Sequence, residues 1–424
     1  MLDLKFIRNN PDAVRAGSTK KHIPCDVDRI LELDIANRSI GVDIDALRQK
    51  QKEAGKSMAS ASPEERKELI AAQGEVKAQL KSLEPQQAEI GEELKALLLL
   101  VPNVPADEVP DGKTDEDNLE VMVVGDLPKF DFTPRSHSEI GEKQDWLDVV
   151  RGAQLAGSRN YVLKGDLSLM EGALMRFALD TMVGKGFTPL SVPTLVRTET
   201  MIGTGYFPGG EDQAYRCDDR DDLCLVGTAE VPITAYHQGE ILELKQLPLR
   251  YVALSQCYRR EAGTYGKDTK GLYRVHQFQK VEQVVIDVAD EAKSLESHHQ
   301  ILRNSQDVLE ALDLPYRVVN VCGGDLGQPQ IQKFDIETWM PSRENWGETH
   351  SASRFHEFQA RRLNLRYRDA EGKVRVCHTL NNTVIASPRV LIPLLENHQQ
   401  KDGSIRIPKA LQPYMGGVEV LRPK

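Results

Sequence analysis

The chain reads as an α+β protein: an antiparallel β-sheet flanked by helices, preceded by a long antiparallel helical hairpin of coiled-coil type. Three observations predict this. Two stretches in the first hundred residues repeat apolar positions at a mean spacing of 3.5, the period that holds one seam of a helix against a partner helix. A stretch rich in proline and acid then interrupts them. Beyond it, short apolar runs follow one another with few helical segments between, which favours an antiparallel sheet over a parallel, doubly wound one.

The first seam runs through Ile30, Leu33, Asn37, Ile40, Ile44, Leu47, Gln51, Ala54 and Met58. The second runs through Leu69, Gln73, Val76, Leu80, Leu83, Gln87, Ile90, Leu94, Leu97 and Val101. Between them lies "SMASASPEER", where Ser62 precedes Glu65 by three residues and Pro63 takes the first helical position, a helix start. Two long helices joined by a short turn fold back on each other, each about 45 Å long at 1.5 Å per residue. Asn37, Gln51, Gln73 and Gln87 on the seam fix register at some cost in stability. A hairpin this thin has little core and projects from a body. Its outer faces carry Arg29, Arg38, Arg48, Lys50, Lys52, Arg66, Lys67, Lys77 and Lys81, with at least as many acids. A solvated face, a dimerising coiled coil and an RNA-binding arm all stay open on this segment alone.

"VPNVPADEVPDGKTDEDN" cannot continue a helix or fill a core. It marks a linker at 105–117 between a first domain at 1–104 and a second at 118–424. The second opens with the strand-like "LEVMVV". Gly172 to Val183 has helical spacing, and the prolines of "GFTPLSVPTLV" suit an edge or interface strand. Further strand candidates are "LCLVG", "RYVALSQCYR", "YRVHQFQKVEQVVI", "YRVVNV", "QKFDIETWM" and "LNLRYRD".

Composition narrows the function. At 424 residues, with 40% apolar and 28% charged residues, the chain is an ordinary globular protein of two or three domains. A net charge of -10 argues against a surface coated for nonspecific nucleic-acid binding, although a local basic track is compatible with it. The cysteines (Cys25, Cys217, Cys224, Cys257, Cys322 and Cys377) form no Cys-x-x-Cys pair and read as reduced thiols. Neither a signal peptide nor an apolar run long enough to span a bilayer is evident, so the expected location is the cytoplasm.

The chemistry concentrates in "YRREAGTYGKDTKGLYRVHQFQK", Tyr258 to Lys280. Two strands flank a cationic, Gly-rich loop that lacks the usual phosphate-loop signature. Arg259 and Glu261 alternate, which places them on one face of a strand. Arginine offers a planar fork of donors for phosphate. Glu261 can accept from an amine such as a nucleobase amino group, and Phe278 on the return strand can stack under a base. A solvated strand edge with ordinary salt bridges is the bland alternative.

This hairpin resembles the second motif of class II aminoacyl-tRNA synthetases, and its wording is similar to the seryl-tRNA synthetase family, bacterial type. The resemblance covers essentially the whole chain. It includes "DLKFIRNNP", the helical hairpin, "GTGYFP", "GTAEVPIT", "ETHSASRFHEFQARR" and "HTLNNTVIASPRVLIPLLENHQ" in the family's order. It implies the class II fold and an enzyme that activates L-serine with ATP and transfers it to tRNA(Ser), and to tRNA(Sec) where one is present. It further implies a homodimer, without a membrane, whose interface includes "GFTPLSVP" with Pro193 as the hallmark proline.

The resemblance also implies roles. Arg259 and Arg389 are the catalytic arginines, at the α-phosphate and the γ-phosphate side. The ATP set is Arg259, Arg260, Glu261, Arg274, Val275, Phe278, Glu348, Thr349, His350, Ser351 and Arg389. Glu348 and Ser351 form the expected Mg2+ site, with hard oxygen ligands bridging phosphates. Thr228, Ala229 and Glu230 meet the serine ammonium, and Glu282 and Thr383 its hydroxyl. The third motif, "NNTVIASPR", has Asn, Thr and Ala or Ser where the class II third motif usually has glycines, and Pro388 precedes Arg389. A relative that loads a carrier protein would lack the long hairpin. A non-catalytic relative would show erosion of Arg259, Glu261, Glu282 or Arg389. A purely structural coiled coil leaves the residues after the linker unexplained.

Overall fold

The computed structural model describes residues 1–58, 61–218, 220–263 and 271–423. Within them the chain forms two compact units, one of residues 2–19 and 23–102, the other of residues 1, 20–22 and 103–424.

The first unit is dominated by helices α1 (Val27–Ser57) and α2 (Pro63–Leu100). α2 starts where the pattern places it: the Ser62 side chain accepts from Glu65 N, the Glu65 carboxylate accepts from Ser62 N, and Pro63 follows. The seam is real. Ile44, Leu47 and Leu80 are buried against Ile40, Val76 and Leu83. Gly41 lets the helices approach at Gln87, whose Nε2 would lie only 3.1 Å from a Cβ placed there. The two helices are tied by Arg29 to Glu93 (2.9 Å) and Arg48 to Glu84 (2.9 Å), so part of the basic outer face is matched by acids of the opposite helix. At 38 residues, α2 is longer than expected and runs straight through Pro85. Pro85 is exposed, and the packed seam on the other side offsets the backbone bond it removes.

The second unit is built on an eight-stranded sheet. In chain order its elements are β1 (Leu119–Val124), α3 (Asp166–Gly184), β2 (Thr188–Pro189), β3 (Leu249–Tyr258), β4 (Gln277–Asp287), α4 (Glu291–Ala311), β5 (Tyr316–Asn320), β6 (Gln332–Met340), β7 (Asn345–His356), β8 (His378–Ser387) and α5 (Leu391–His398). The strand order is β1-β5-β6-β7-β8-β4-β3-β2. Every pairing is antiparallel except that of β2 with β3. β2, from the proline-bearing segment, sits at one edge, as its prolines require. Helices α3, α4 and α5 bury Met170, Leu174, Leu309 and Leu395 against Val281, Val285, Ile336 and Leu380 on one face. Val284 and Ile286 face a second cluster with Ile233 and Leu363. Because β4 is covered on both faces, its apolar run is continuous instead of alternating.

Two expectations are corrected. Val109, inside the presumed linker, is buried with Val321 and Leu326, so that stretch packs on the body. β7 and β8, which form the middle of the sheet, are absent from the strand candidates. Among the described residues no helix is long and apolar enough to cross a membrane, and no group of three or more His, Cys, Asp or Glu residues could hold a metal ion.

Leu80 is 8% exposed at the centre of the hairpin seam. Leu80→Ala should destabilise the hairpin by about 2 kcal/mol, the low end for a buried leucine because the site is narrow. Hydrogen exchange should show faster exchange across α1 and α2 and no change in β4 or β8.

Candidate active site

The central strands β7, β8 and β4 form the floor of a cavity. Arg259, Glu261, Val275, Phe278, Lys280, Glu348, Ser351, Thr383 and Arg389 line it. A more open neighbouring cavity, lined by Tyr206, Gln213 and Arg274, shares Arg259, Glu261, Glu348 and Arg389 with it. The hairpin loop at 264–270 lies outside the described residues.

Two details of the hairpin differ from the sequence reading. β3 ends at Tyr258, and Glu261 has a left-handed backbone with φ 52°. Alternation along a strand therefore does not place Glu261 beside Arg259; a turn does. The return strand starts at Gln277 instead of Tyr273. Before it, His276 N donates to Arg159 O (3.1 Å) and Arg259 N donates to His276 O (2.9 Å).

Two register shifts set which side chains reach the cavity. Val281 pairs with Ile385 but Glu282 pairs with Thr383, so Val384 is an extra residue in β8. Without that bulge the strict two-residue period would put Val384 opposite Glu282 and turn Thr383 away. In the same way Ile336 pairs with His350 but Glu337 with Glu348, leaving Thr349 extra in β7. Glu348 and Ser351, three residues apart, thereby reach one cavity. Thr349 Oγ1 accepts from or donates to Thr338 Oγ1 (2.7 Å) beneath them.

At one end of the cavity cations and aromatic rings meet. The Arg259 guanidinium lies 5.4 Å from the Phe278 ring centroid. Those of Arg389 and Arg343 lie 4.5 and 4.2 Å from that of Tyr273. Arg389 Nη1 donates to Glu348 O (3.1 Å) and its Nε to Tyr273 O (3.3 Å). Arg274 sits 3.4 Å from the Glu261 carboxylate. The protein around Glu348 disfavours its charge, but Arg389, Lys333, Arg259 and Arg274 outweigh this and hold its carboxyl below the usual range. Burial pushes His350 down to about 4, so it is neutral at pH 7. Such a surface suits a polyanion carrying a planar base. Glu348 and Ser351 supply only two hard oxygens. Oxygen donors of this kind are the type that Mg2+ takes.

The other end, reached at Lys280 and Thr383, is polar and buried, with Thr228, Glu230 and Glu282 behind it. Thr228, Glu230, Lys280, Glu282 and Thr383 are each at most 8% exposed. Glu230 accepts from Tyr206 OH (3.0 Å) and Gln359 Nε2 (2.7 Å), and Gln359 is itself held by Thr379 (2.6 Å). Burial, then the neighbouring Glu282 charge, push Glu230 up to about 7. Lys280 donates to Thr228 Oγ1 (2.6 Å), to Glu282 Oε2 and to Thr383 Oγ1 (3.4 Å).

Two residues of the expected set stand apart. Arg260 is exposed, packs 5.8 Å from the Tyr215 ring and does not line either cavity. Ala229 packs into the apolar cluster with Ile233. Sequence reasoning missed Lys280, Tyr206, Gln359, Tyr273 and Arg343. Lys280 was legible: it precedes Glu282 by two residues in a strand and so shares its face.

Comparison with known proteins agrees with this geometry. Residues 1–105 match the seryl-tRNA synthetase N-terminal domain, and residues 215–398 match the tRNA synthetase class II core domain (G, H, P, S and T). The serine–tRNA ligase of Deinococcus radiodurans is 49% identical, with 99% of each chain covered. That of Rhodococcus opacus is 44% identical over the whole of both chains. The crystal structure of seryl-tRNA synthetase from Pyrococcus horikoshii complexed with ATP superposes with a TM-score of 0.93 at 38% identity, covering 100% of both chains. Matched from end to end in sequence and in fold, the chain belongs to the seryl-tRNA synthetase family of class II aminoacyl-tRNA synthetases.

Proposed function

We propose that the chain is a serine–tRNA ligase. It activates L-serine with ATP to seryl-adenylate and pyrophosphate, then transfers serine to the 3′ end of tRNA(Ser), and of tRNA(Sec) where the cell makes one. One observation carries the reading: a cavity lined by arginines and aromatic rings reaches Lys280 and Thr383, which are hydrogen-bonded to the buried Thr228 and Glu282. The first half fits a nucleotide, and the second fits a small zwitterion with a hydroxyl.

The reaction needs no protein nucleophile. A serine carboxylate oxygen attacks the α-phosphorus, and the bond to pyrophosphate breaks. Positioning and charge stabilisation are the protein's contribution. Arg259 grips the α-phosphate and Arg389 the γ-phosphate side, with Arg274 assisting. Phe278 stacks under adenine and Glu261 accepts from its amino group, while Val275, Thr349 and His350 shape the site. Bound through Glu348 and Ser351, Mg2+ would neutralise phosphate charge. Thr228 and Glu230 receive the serine ammonium. Glu282 and Thr383 receive its hydroxyl, so that alanine leaves buried polar groups unpaired. The domain at 1–104 carries the tRNA-binding hairpin and the domain at 118–424 the chemistry. The chain acts in the cytoplasm as a homodimer through the "GFTPLSVP" edge. The Pyrococcus horikoshii relative solved with ATP supports the nucleotide half of this reading.

Amino-acid-dependent ATP–pyrophosphate exchange tests it. Serine alone among serine, threonine, alanine and cysteine should support exchange; exchange with none of them from folded protein would leave RNA binding as the better reading. Replacing residues 30–97 by a short linker should spare that exchange and abolish tRNA charging. Loss of both would mean that the hairpin also supports the catalytic fold.

Glu230 gives a pH test. An unfolded glutamate ionises near its ordinary value of 4.5, but the folded one does so at about 7. Its contribution to stability is therefore full below pH 4.5 and is lost as pH rises to about 7. The Tm of Glu230→Gln should rise relative to that of the parent between pH 5 and about 7; a pH-independent difference would refute the raised value.

A further inference from the structure

We propose that Lys280 is a positioning and specificity residue of the amino-acid pocket, setting both its net charge and the direction of its hydrogen bonds. This deepens the serine-activation reading and rests on it.

The geometry is saturated. An ammonium has three N–H donors. Those of Lys280 go to Thr228, Glu282 and Thr383, each expected to touch serine. None is left for the substrate, so the lysine acts through its neighbours. Its bonds have a direction. Thr228 Oγ1 accepts from Lys280 and from Glu230 N (3.2 Å), which holds it beside Glu230 at the ammonium end of the pocket. Thr383 Oγ1 accepts from Lys280 and donates to Glu282 Oε2 (3.3 Å). The pocket therefore presents the Glu282 carboxylate as an acceptor at the hydroxyl end, a pattern that selects a hydroxyl-bearing side chain.

Charge completes the case. Two buried carboxylates facing one substrate ammonium would leave one negative charge uncompensated in a site closed to water. Lys280 compensates the Glu282 carboxylate, and the serine ammonium is left to meet Glu230. The other titratable or charged groups facing this cluster are Tyr206, Cys257 and Arg259.

The experiment is ATP–pyrophosphate exchange with Lys280→Met, which keeps the bulk and removes the charge. The KM for serine should rise about tenfold or more, the loss expected for a hydrogen bond to a charged group. The KM for ATP should stay within about twofold, because uniform binding of ATP is untouched. The preference for serine over alanine should fall. With the lysine gone, Glu230 loses the positive charge that favours its ionisation and holds a proton to higher pH, so the serine KM of the variant should drop as pH rises, more steeply than that of the parent. Ethylammonium should partly restore serine use in Lys280→Ala and do nothing for the parent. If Lys280→Met does not fold, Lys280→Gln, which keeps N–H donors without charge, should show the same pH dependence. Parental serine KM and selectivity in a folded variant would overturn the proposal. So would a joint rise in both KM values with a lowered Tm and no amine rescue, the mark of a merely structural lysine. Failure of the parent to exchange with serine would overturn the functional reading and the lysine's role together.

Discussion

Charge held in the middle of a sheet is the constraint around which the second unit is organised. A lone buried ion is too unfavourable to survive folding, so each must meet a partner at hydrogen-bond distance. Lys280 has Glu282, Glu230 has Tyr206 and Gln359, and Arg354, only 1% exposed, has Glu291 (2.5 Å) and Gln332 (3.2 Å). Those partners sit on different strands and helices. Pairing them requires β4, β7 and β8 to hold one register, and the apolar faces packed by α3, α4 and α5 enforce it. The extra residues Val384 and Thr349 are the adjustments that a regular two-residue period cannot make.

The hairpin was legible because its pattern and its physics coincide. Apolar spacing is the only thing that holds two thin helices together, so the seam appears directly in the sequence, down to the Ser62 start. The apolar strands β3, β4, β5 and β6 were legible for a similar reason. The middle of the sheet was not. In "NWGETHSASRFH" and "HTLNNTVIAS" many buried side chains are polar: His350, Ser353 and Arg354 in β7, and Thr379, Asn381 and Asn382 in β8. Asn382, for one, is stabilised by donating to Ile301 O (2.6 Å) and Ser305 Oγ (2.9 Å) on α4. Hydrophobic periodicity is blind to burial satisfied by hydrogen bonds.

The site shows the same division. Motif resemblance named most of the residues that the fold gathers, including Arg389, which follows "NNTVIASP" with its Asn and Thr in place of glycine. Asn382 there faces α4, while Ala386, Ser387 and Pro388 border the cavity. What neither motif nor period revealed were contacts made across elements distant in sequence. Gln359 reaches Glu230 over 129 residues, and Lys280 reaches Thr383 over 103. The turn at Glu261 was equally hidden, since a left-handed glutamate leaves no mark in a pattern of apolar positions.

The place of β8 in the strand order has a consequence for how the protein is made. Residues 378–387 are the wedge between β7 and β4, so a growing chain cannot close the sheet until nearly all of it has left the ribosome. Until then, β4 and β7 each present an open edge and half-buried charges, while the hairpin, complete by residue 101, needs only neighbours already synthesised. Synthesis thus separates the two units in time: the helical arm can be finished early, and the catalytic sheet depends on its last central strand.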